Sequence, residues 1–386
     1  MKICLLGASG SIGQQTLDVI AQNPSNFTLV SFSVGVRHEC IPNILKDNPS
    51  VTHVYLKDKK QKDIYQKRYP NVVFYAGDEI YLNNLITESD NEMVVNALVG
   101  FVGLVPSVTA IENHKKLALA NKESLVVGGS YINKLLRKTK GELCPIDSEH
   151  SALWKCLKVD NKNVERLVLT ASGGAFRKLS LDELKNVTQE DALKHPTWQM
   201  GNKITIDCAT MVNKAFELIE AYHLFGYKSD RLGVTLHDES LLHSYVVYKD
   251  GSMRGEFNKP DMRNPIKFAL YEGNIPFDTI TFDSLEELKD CHFHKFDISR
   301  YPLVGLADLV INKGGNLGAT FNASNEVAVH AFLDHKIPFL AIDIIIRKTI
   351  EEVKYIKNPS LKSLIATHKK ATKIAKRLVR NEDKLW

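Results

Sequence analysis

The chain has 386 residues, enough for two or three domains each with its own core, and its apolar and charged fractions of 44% and 25% are those of an ordinary soluble globular protein. No apolar run approaches the roughly 20 residues that span a bilayer, and Met1 to Gly7 runs straight into a buried-strand pattern that leaves no room for a leader, so the expectation is a cytoplasmic protein with no membrane partner. The formal charge of +5 suits an anionic small substrate better than nucleic acid, because much of it falls on Lys369, Lys370, Lys373, Lys376, Arg377 and Arg380, which read as the solvated face of a last helix.

In chain order, Lys2 to Leu6 is an apolar strand, Gly7-Ala8-Ser9-Gly10-Ser11-Ile12-Gly13 a glycine turn, and Gln14 to Ala21 an amphipathic helix. Strand, glycine turn and helix in that order make a dinucleotide site: glycine lets the backbone approach a pyrophosphate, and the helix start offers N–H groups and a positive dipole end. The next strand, Phe27 to Val34, runs into Gly35, Val36, Arg37 and His38. An NAD site usually has an acidic residue there. Its absence, with Arg37 in reach of a 2′-phosphate, favours NADPH.

Helices and short strands alternate from Cys40 to Ser89, and Met93 to Leu98 is another buried strand. Asn121, Lys122 and Glu123 follow the strand Leu117 to Ala120, where open α/β sheets bind ligands; Asn121 also serves as a helix cap. The strand Glu142 to Ile146 delivers Asp147 and Glu149. If the backbone stays extended, both carboxylates face one way, and such a pair is relieved by a hard divalent cation.

After residue 150 the rhythm changes, which marks a second domain. Val168 to Ala171 is a strand running into Ser172-Gly173-Gly174, a turn whose hydroxyl and amides form an anion nest. His195 to Gly201, with Trp198 and Met200 inside, is either a lid or a loop packed down by Trp198. In the stretch Thr205 to Ala221, the part around Asn213 to Glu217 reads as a helix. Asn213, Lys214 and Glu217 then share one face, and Val212, Ala215, Phe216 and Ile219 face the core. Strands follow between Leu232 and Tyr248, a helix after Pro265, a linker, and a helical C-terminal segment. The six cysteines show no CxxC spacing, so they are expected as reduced thiols.

In their order, Gly7 to Gly13, Leu119 to Val126, Pro145 to Ala152, Leu169 to Arg177, His195 to Gly201, the Asn213, Lys214 and Glu217 helix, Pro260 to Arg263 and Phe321 to Val329 resemble the 1-deoxy-D-xylulose 5-phosphate reductoisomerase family over nearly the whole chain. The resemblance implies an α/β protein with a Rossmann-like NADPH domain (1–149), an α+β catalytic and connective domain (150–275, lid 195–201), a linker (276–298) and a C-terminal helical domain (299–386), acting as a homodimer. It implies the rearrangement of 1-deoxy-D-xylulose 5-phosphate by retroaldol and aldol steps and its reduction by NADPH to 2-C-methyl-D-erythritol 4-phosphate, on the methylerythritol phosphate route to isoprenoids. Asp147, Glu149 and Glu217 would hold Mg²⁺ or Mn²⁺, with Co²⁺ also admissible, and act with Lys122 in catalysis. Ser148, Ser172, His195, Cys208, Asn213 and Lys214 would contact the substrate, and Trp198 and Met200 would close over it. Ser9, Gly10, Ser11, Ile12, Asn121 and Glu123, with Gly35, Arg37, His38, Gly201 and Met262, would contact NADPH. Lys122 and Glu149 are the proton carriers, and the sequence leaves open which is the acid.

The chain departs from the family pattern at several positions. Cys208 replaces a serine that contacts phosphate in the family, a weaker donor. Ala215 replaces a glycine, Gly255-Glu256-Phe257-Asn258 an Ala-Gln-Leu-Gly, Tyr245 a methionine, and Val36 a basic residue. They keep two alternatives open: a relative turned to a related phosphate or phosphonate, and a binding or regulatory paralogue that turns over poorly. A semialdehyde dehydrogenase with a nucleophilic cysteine is a third idea, disfavoured because Cys208 lies in a phosphate-binding pattern.

Overall fold

The computed structural model describes residues 1–194, 197, 198, 200–274, 288 and 290–381. The chain divides into two compact units.

The first unit is built on strands β1 (Lys2–Leu6), β2 (Thr28–Val34), β3 (His53–Leu56), β4 (Val73–Ala76), β5 (Met93–Asn96), β6 (Lys116–Leu119) and β7 (Leu143–Pro145). They form one sheet in the order β4-β3-β2-β1-β5-β6-β7, every pair parallel. Its strands read as near-continuous apolar runs, as strands covered on both faces must; Ile3, Leu5, Leu6, Phe32, Leu56 and Val94 have no exposed surface. The order reverses between β1 and β5, the crevice where doubly wound sheets take ligands.

The helices in chain order are α1 (Ser11–Gln22), α2 (Ile41–Asp47), α3 (Lys59–Arg68), α4 (Tyr81–Glu88), α5 (Leu104–Glu112), α6 (Lys122–Thr139), α7 (Ser148–Val159), α8 (Gln189–Ala192), α9 (Asn202–Ala209), α10 (Val212–Phe225), α11 (Arg263–Leu270), α12 (Leu306–Lys313), α13 (Leu317–Leu333), α14 (Ala341–Glu352) and α15 (Leu361–Arg380). Helix α11 belongs to the first unit, although 150–275 was expected to form one domain. The reason lies in side chains: Arg263 pairs with Asp18 of α1 at 2.9 Å, the Tyr271 hydroxyl reaches Asn23 and Asn26, and its ring packs edge-on to Phe27 at 4.8 Å.

The second unit carries a sheet of β8 (Val164–Ala171), β9 (Leu232–His237), β10 (Leu242–Tyr248), β11 (Met253–Phe257) and β12 (Phe293–Lys295) in the order β11-β10-β8-β9-β12. Only β8 and β9 run parallel in it, with Ala171 opposite Leu236. Strand β12 lies in the stretch expected as linker. Helices α12 to α15, expected as a separate domain, share a core with this sheet: Phe176 meets Phe339 and Phe216 meets Phe321, each edge-on at 5.0 Å. An amphipathic α15 buries Leu364, Ala371, Ala375 and Leu378 and leaves its lysines in water. No helix among the described residues is long and apolar enough to cross a membrane.

Candidate active site

In the first unit the turn after β1 is made by glycines that no other residue replaces. Gly7 has φ +91°, and a Cβ there would stand 2.6 Å from the Ala97 carbonyl; one on Gly13 would stand 2.2 Å from the Gly7 carbonyl. The helix thus starts hard against the end of the strand. Gly10 caps α1 with no side-chain acceptor, so the first amides of the helix and its dipole remain for an anion. The exposed Arg37 donates from its guanidinium to the Ser9 carbonyl and so stands beside this turn. His38 is tied to Tyr65, whose hydroxyl donates to the His38 carbonyl at 2.9 Å. Gly35 lies in open space. Met262 precedes α11, partly buried, in this same unit.

Asn121 caps α6 by accepting from the Ser124 amide at 3.1 Å, while its own amide donates to the carbonyls of Leu98 and Gly100 at 2.9 Å each and to Glu123 at 3.1 Å. That cap aims Lys122, only 7% exposed, at Asp147 Oδ2, 2.6 Å away. The carboxylate pair itself is placed differently from the expectation. Strand β7 ends at Pro145, and Asp147 caps α7: its Oδ1 accepts from the Glu149 amide at 3.3 Å and its carbonyl from the Ser151 amide at 2.9 Å. Asp147 and Glu149 are brought together by a helix start, where the dipole favours acids, and not by strand alternation. Ser148 donates to Glu149.

His150, fully buried, sets its Nδ1 3.0 Å from Asp147 Oδ1. Burial alone would raise the Asp147 pKa, but the Lys122 ammonium and the His150 bond outweigh it and hold this carboxyl well below its ordinary range. It is ionised at neutral pH. The role of His150 was missed from the sequence; its place three residues after Asp147 in a helix was the available sign.

In the second unit α9 and α10 are separate helices, broken at Met211 with φ +62°. Asn213, Lys214 and Glu217 do share a face of α10: Asn213 donates to Glu217 Oε1 and Lys214 pairs with Oε2. None of them is a solvated surface group, for Lys214 is 3% and Glu217 1% exposed. A charge so buried demands a charged partner of its own. Glu220, one turn on, is also buried, and Asp207 of α9 is held by Lys203 at 2.8 Å and by Asn325 of α13 at 2.8 Å. Glu220, Lys203 and Asn325 were not singled out from the sequence. The Lys203 and Asp207 spacing of four was readable, but Asn325 lies 118 positions from its partner.

Ser172 follows β8, and its Oγ accepts from the Gly174 amide at 3.3 Å. Gly173 and Gly174 have φ +80° and +71°, and a Cβ on Gly174 would stand 2.5 Å from the Cys208 carbonyl, so this turn lies directly on α9. Trp198 packs toward His243 with ring centroids 6.0 Å apart, and Thr197 Oγ1 lies 3.3 Å from Ser240 Oγ, so this part of the 195–201 segment rests on the β9–β10 connection. Met200 is partly buried and Gly201 precedes α9. His195 lies outside the described residues.

The departures have local accounts. Ala215 is fully buried with Phe216 and Ile219, where its methyl fits the core and favours the helix by about 1 kcal/mol over glycine. The Tyr245 hydroxyl reaches across β8 to Thr235 at 2.8 Å. Glu256 Oε1 joins Lys155 and Asn258, each at 2.7 Å, so two of the changed residues make one polar network.

Residues 3–129 match the family model for 1-deoxy-D-xylulose 5-phosphate reductoisomerase, 143–225 that for its C-terminal domain, and 257–374 that for the DXP reductoisomerase C-terminal domain. The chain belongs to the 1-deoxy-D-xylulose 5-phosphate reductoisomerase family. It is 44% identical over 363 residues to the reductoisomerase of Bacillus subtilis, covering 93% of this chain and 94% of that one. With the reductoisomerase of Desulforamulus reducens it shares 41% over 386 residues, 98% and 99% of the two chains. The reductoisomerase from Zymomonas mobilis, solved in complex with NADPH, superposes with a TM-score of 0.88 at 35% identity, and a reductoisomerase solved with NADPH, fosmidomycin and magnesium with 0.89 at 31%, each over 98% of both chains.

Proposed function

We propose that the chain rearranges 1-deoxy-D-xylulose 5-phosphate and reduces the product with NADPH to 2-C-methyl-D-erythritol 4-phosphate, using a divalent metal ion. The observation that carries this reading is the Asp147 cluster: a carboxylate kept ionised by Lys122 and His150 and set beside Glu149 at a helix start, in a reductoisomerase chain. NADPH fits the turn after β1, whose glycines leave backbone amides for a pyrophosphate and whose neighbour Arg37 supplies the cation for a 2′-phosphate. Asn121 and Glu123, with Met262, complete its contacts.

Asp147, Glu149 and Glu217 would hold the metal, as oxygen donors suited to Mg²⁺ or Mn²⁺. When bound, that ion supplies Lewis-acid polarisation of the sugar's carbonyl and hydroxyl oxygens. Lys122 holds a proton at Nζ beside Asp147 and moves it to or from the substrate. Ser172, Cys208, Asn213 and Lys214 bind the phosphate, the ammonium in a buried place where water screens it little. Ser148 and His195 orient the sugar, and Trp198 and Met200 exclude water over it. By the same likeness the active form is a homodimer of the cytoplasm.

The test is incubation with 1-deoxy-D-xylulose 5-phosphate, NADPH and Mg²⁺, following absorbance and identifying the product by NMR. The expected outcome is one NADPH consumed per 2-C-methyl-D-erythritol 4-phosphate formed. NADPH binding without consumption would refute the reading and favour the binding paralogue.

A further inference from the structure

The turn Ser172-Gly173-Gly174 is held by two side chains to which no role has been given above. Arg177 Nη1 donates to the Ser172 carbonyl at 3.2 Å, and the Tyr301 hydroxyl donates to the Gly173 carbonyl at 3.3 Å. Each comes with support of its own. Arg177 also donates to the Asp238 carbonyl at 3.3 Å and lies 3.6 Å from its carboxylate, which the parallel pairing of β8 and β9 brings alongside Ser172. Tyr301 opens the helical segment, its ring stacked on Phe296 at 5.5 Å, while Arg300 donates to the Phe176 carbonyl at 2.6 Å.

A trans peptide unit is planar, with its C=O and N–H pointing in opposite directions. Fixing the Ser172 carbonyl therefore aims the Gly173 amide, and fixing the Gly173 carbonyl aims the Gly174 amide, which already meets Ser172 Oγ at 3.3 Å. Glycines at positive φ have little preference of their own, so a Gly-Gly turn without such anchors would rotate and present carbonyl oxygens to an anion. We infer that Arg177 and Tyr301 are positioning residues for the substrate's phosphate, holding the carbonyls of Ser172 and Gly173 on themselves and so fixing the peptide planes of the turn. The inference rests on the proposed role of Ser172 as a phosphate contact, and it gives the start of the helical segment a part in substrate binding.

The experiment is steady-state kinetics of the full chain with Tyr301→Phe and Arg177→Lys, with inorganic phosphate as a competing ligand. Loss of one such bond should raise the KM for the sugar phosphate about two- to tenfold. The inhibition constant for phosphate should rise in step, with kcat and the KM for NADPH unchanged. An unchanged KM with a lowered Tm, or a fall confined to kcat, would overturn it. Tyr301→Phe removes a single oxygen and carries the test alone if Arg177→Lys does not fold. Absence of wild-type turnover would instead strike the reading of the site; calorimetric binding of inorganic phosphate to wild type and variants would then still decide whether the brace acts.

Discussion

The two glycine turns of this chain do related work by different means. The turn after β1 is self-supporting: a strand ends, a helix begins, and Gly7 and Gly13 let the backbones meet. The turn after β8 leads into no helix and is held instead by Arg177 and by Tyr301, 128 positions from the carbonyl it serves. The same contrast runs through the rest of the site. The proposed nucleotide contacts of the first unit rest on backbone groups and helix caps, whereas the proposed phosphate and metal contacts of the second unit rest on buried charges, Lys214 and Glu217. A backbone site tolerates changes around its glycines. A buried-charge site tolerates few changes to its charges.

Glu217→Gln attacks the second kind of site and should have the largest effect. Loss of several kcal/mol of charge stabilisation lowers kcat on the order of 10³-fold. Lys214 is then left buried without its carboxylate, so Tm falls as well. Turnover within tenfold of wild type would place the metal elsewhere. Gly13→Ala attacks the first kind: its methyl would lie 2.2 Å from one carbonyl oxygen and 2.7 Å from the Ala8 Cα, both backbone. The expected result is about 1–3 kcal/mol of destabilisation and a KM for NADPH raised roughly tenfold, with phosphate inhibition intact. An unchanged NADPH titration would show that the close approach of α1 to β1 is not what makes the site.

Cys208→Ser restores a hydroxyl donor on α9 and should lower the KM for the sugar phosphate by up to about tenfold, read in the same assay. No change would remove Cys208 from the phosphate contacts. The smallest effect concerns stability alone. Burial lowers the His223 pKa from 6.5 to about 4. Its folded pKa lies below its unfolded one, so the unfolded chain binds the extra proton between these values. Stability is therefore full above pH 6.5 and falls as the pH drops toward 4, by on the order of 3 kcal/mol from this group. His368, lowered to about 4 by burial, adds to the slope. His223→Gln should flatten the dependence of Tm on pH, and an unaltered slope would assign it to other groups.

What the sequence made legible follows the same division. The parallel sheet, its glycine turn and the NADPH preference were readable because apolar strand runs and glycine spacing are local patterns. Asp147 and Glu149 were found together for the wrong local reason, since a strand of three residues and a helix cap share the same short string. Met262 was assigned to the wrong domain because Arg263 and Tyr271 find their partners about 245 positions away. The helical segment, expected alone, joins the β8–β12 sheet through Phe321 and Phe339, aromatic residues that a helical pattern marks as buried without saying against what. Of the two Ser172 braces, Tyr301 lies beyond local reading for the same reason, whereas Arg177 stands only five positions from the carbonyl it holds.

The most direct test of the central claim is a Mn²⁺ titration of NADPH oxidation with 1-deoxy-D-xylulose 5-phosphate, for wild type and Glu149→Gln, with NADPH binding followed by fluorescence. The account predicts saturable metal-dependent turnover in the wild type and none in the variant at any Mn²⁺ concentration, NADPH binding being equal. Equal turnover by both proteins, or turnover independent of Mn²⁺, would contradict it.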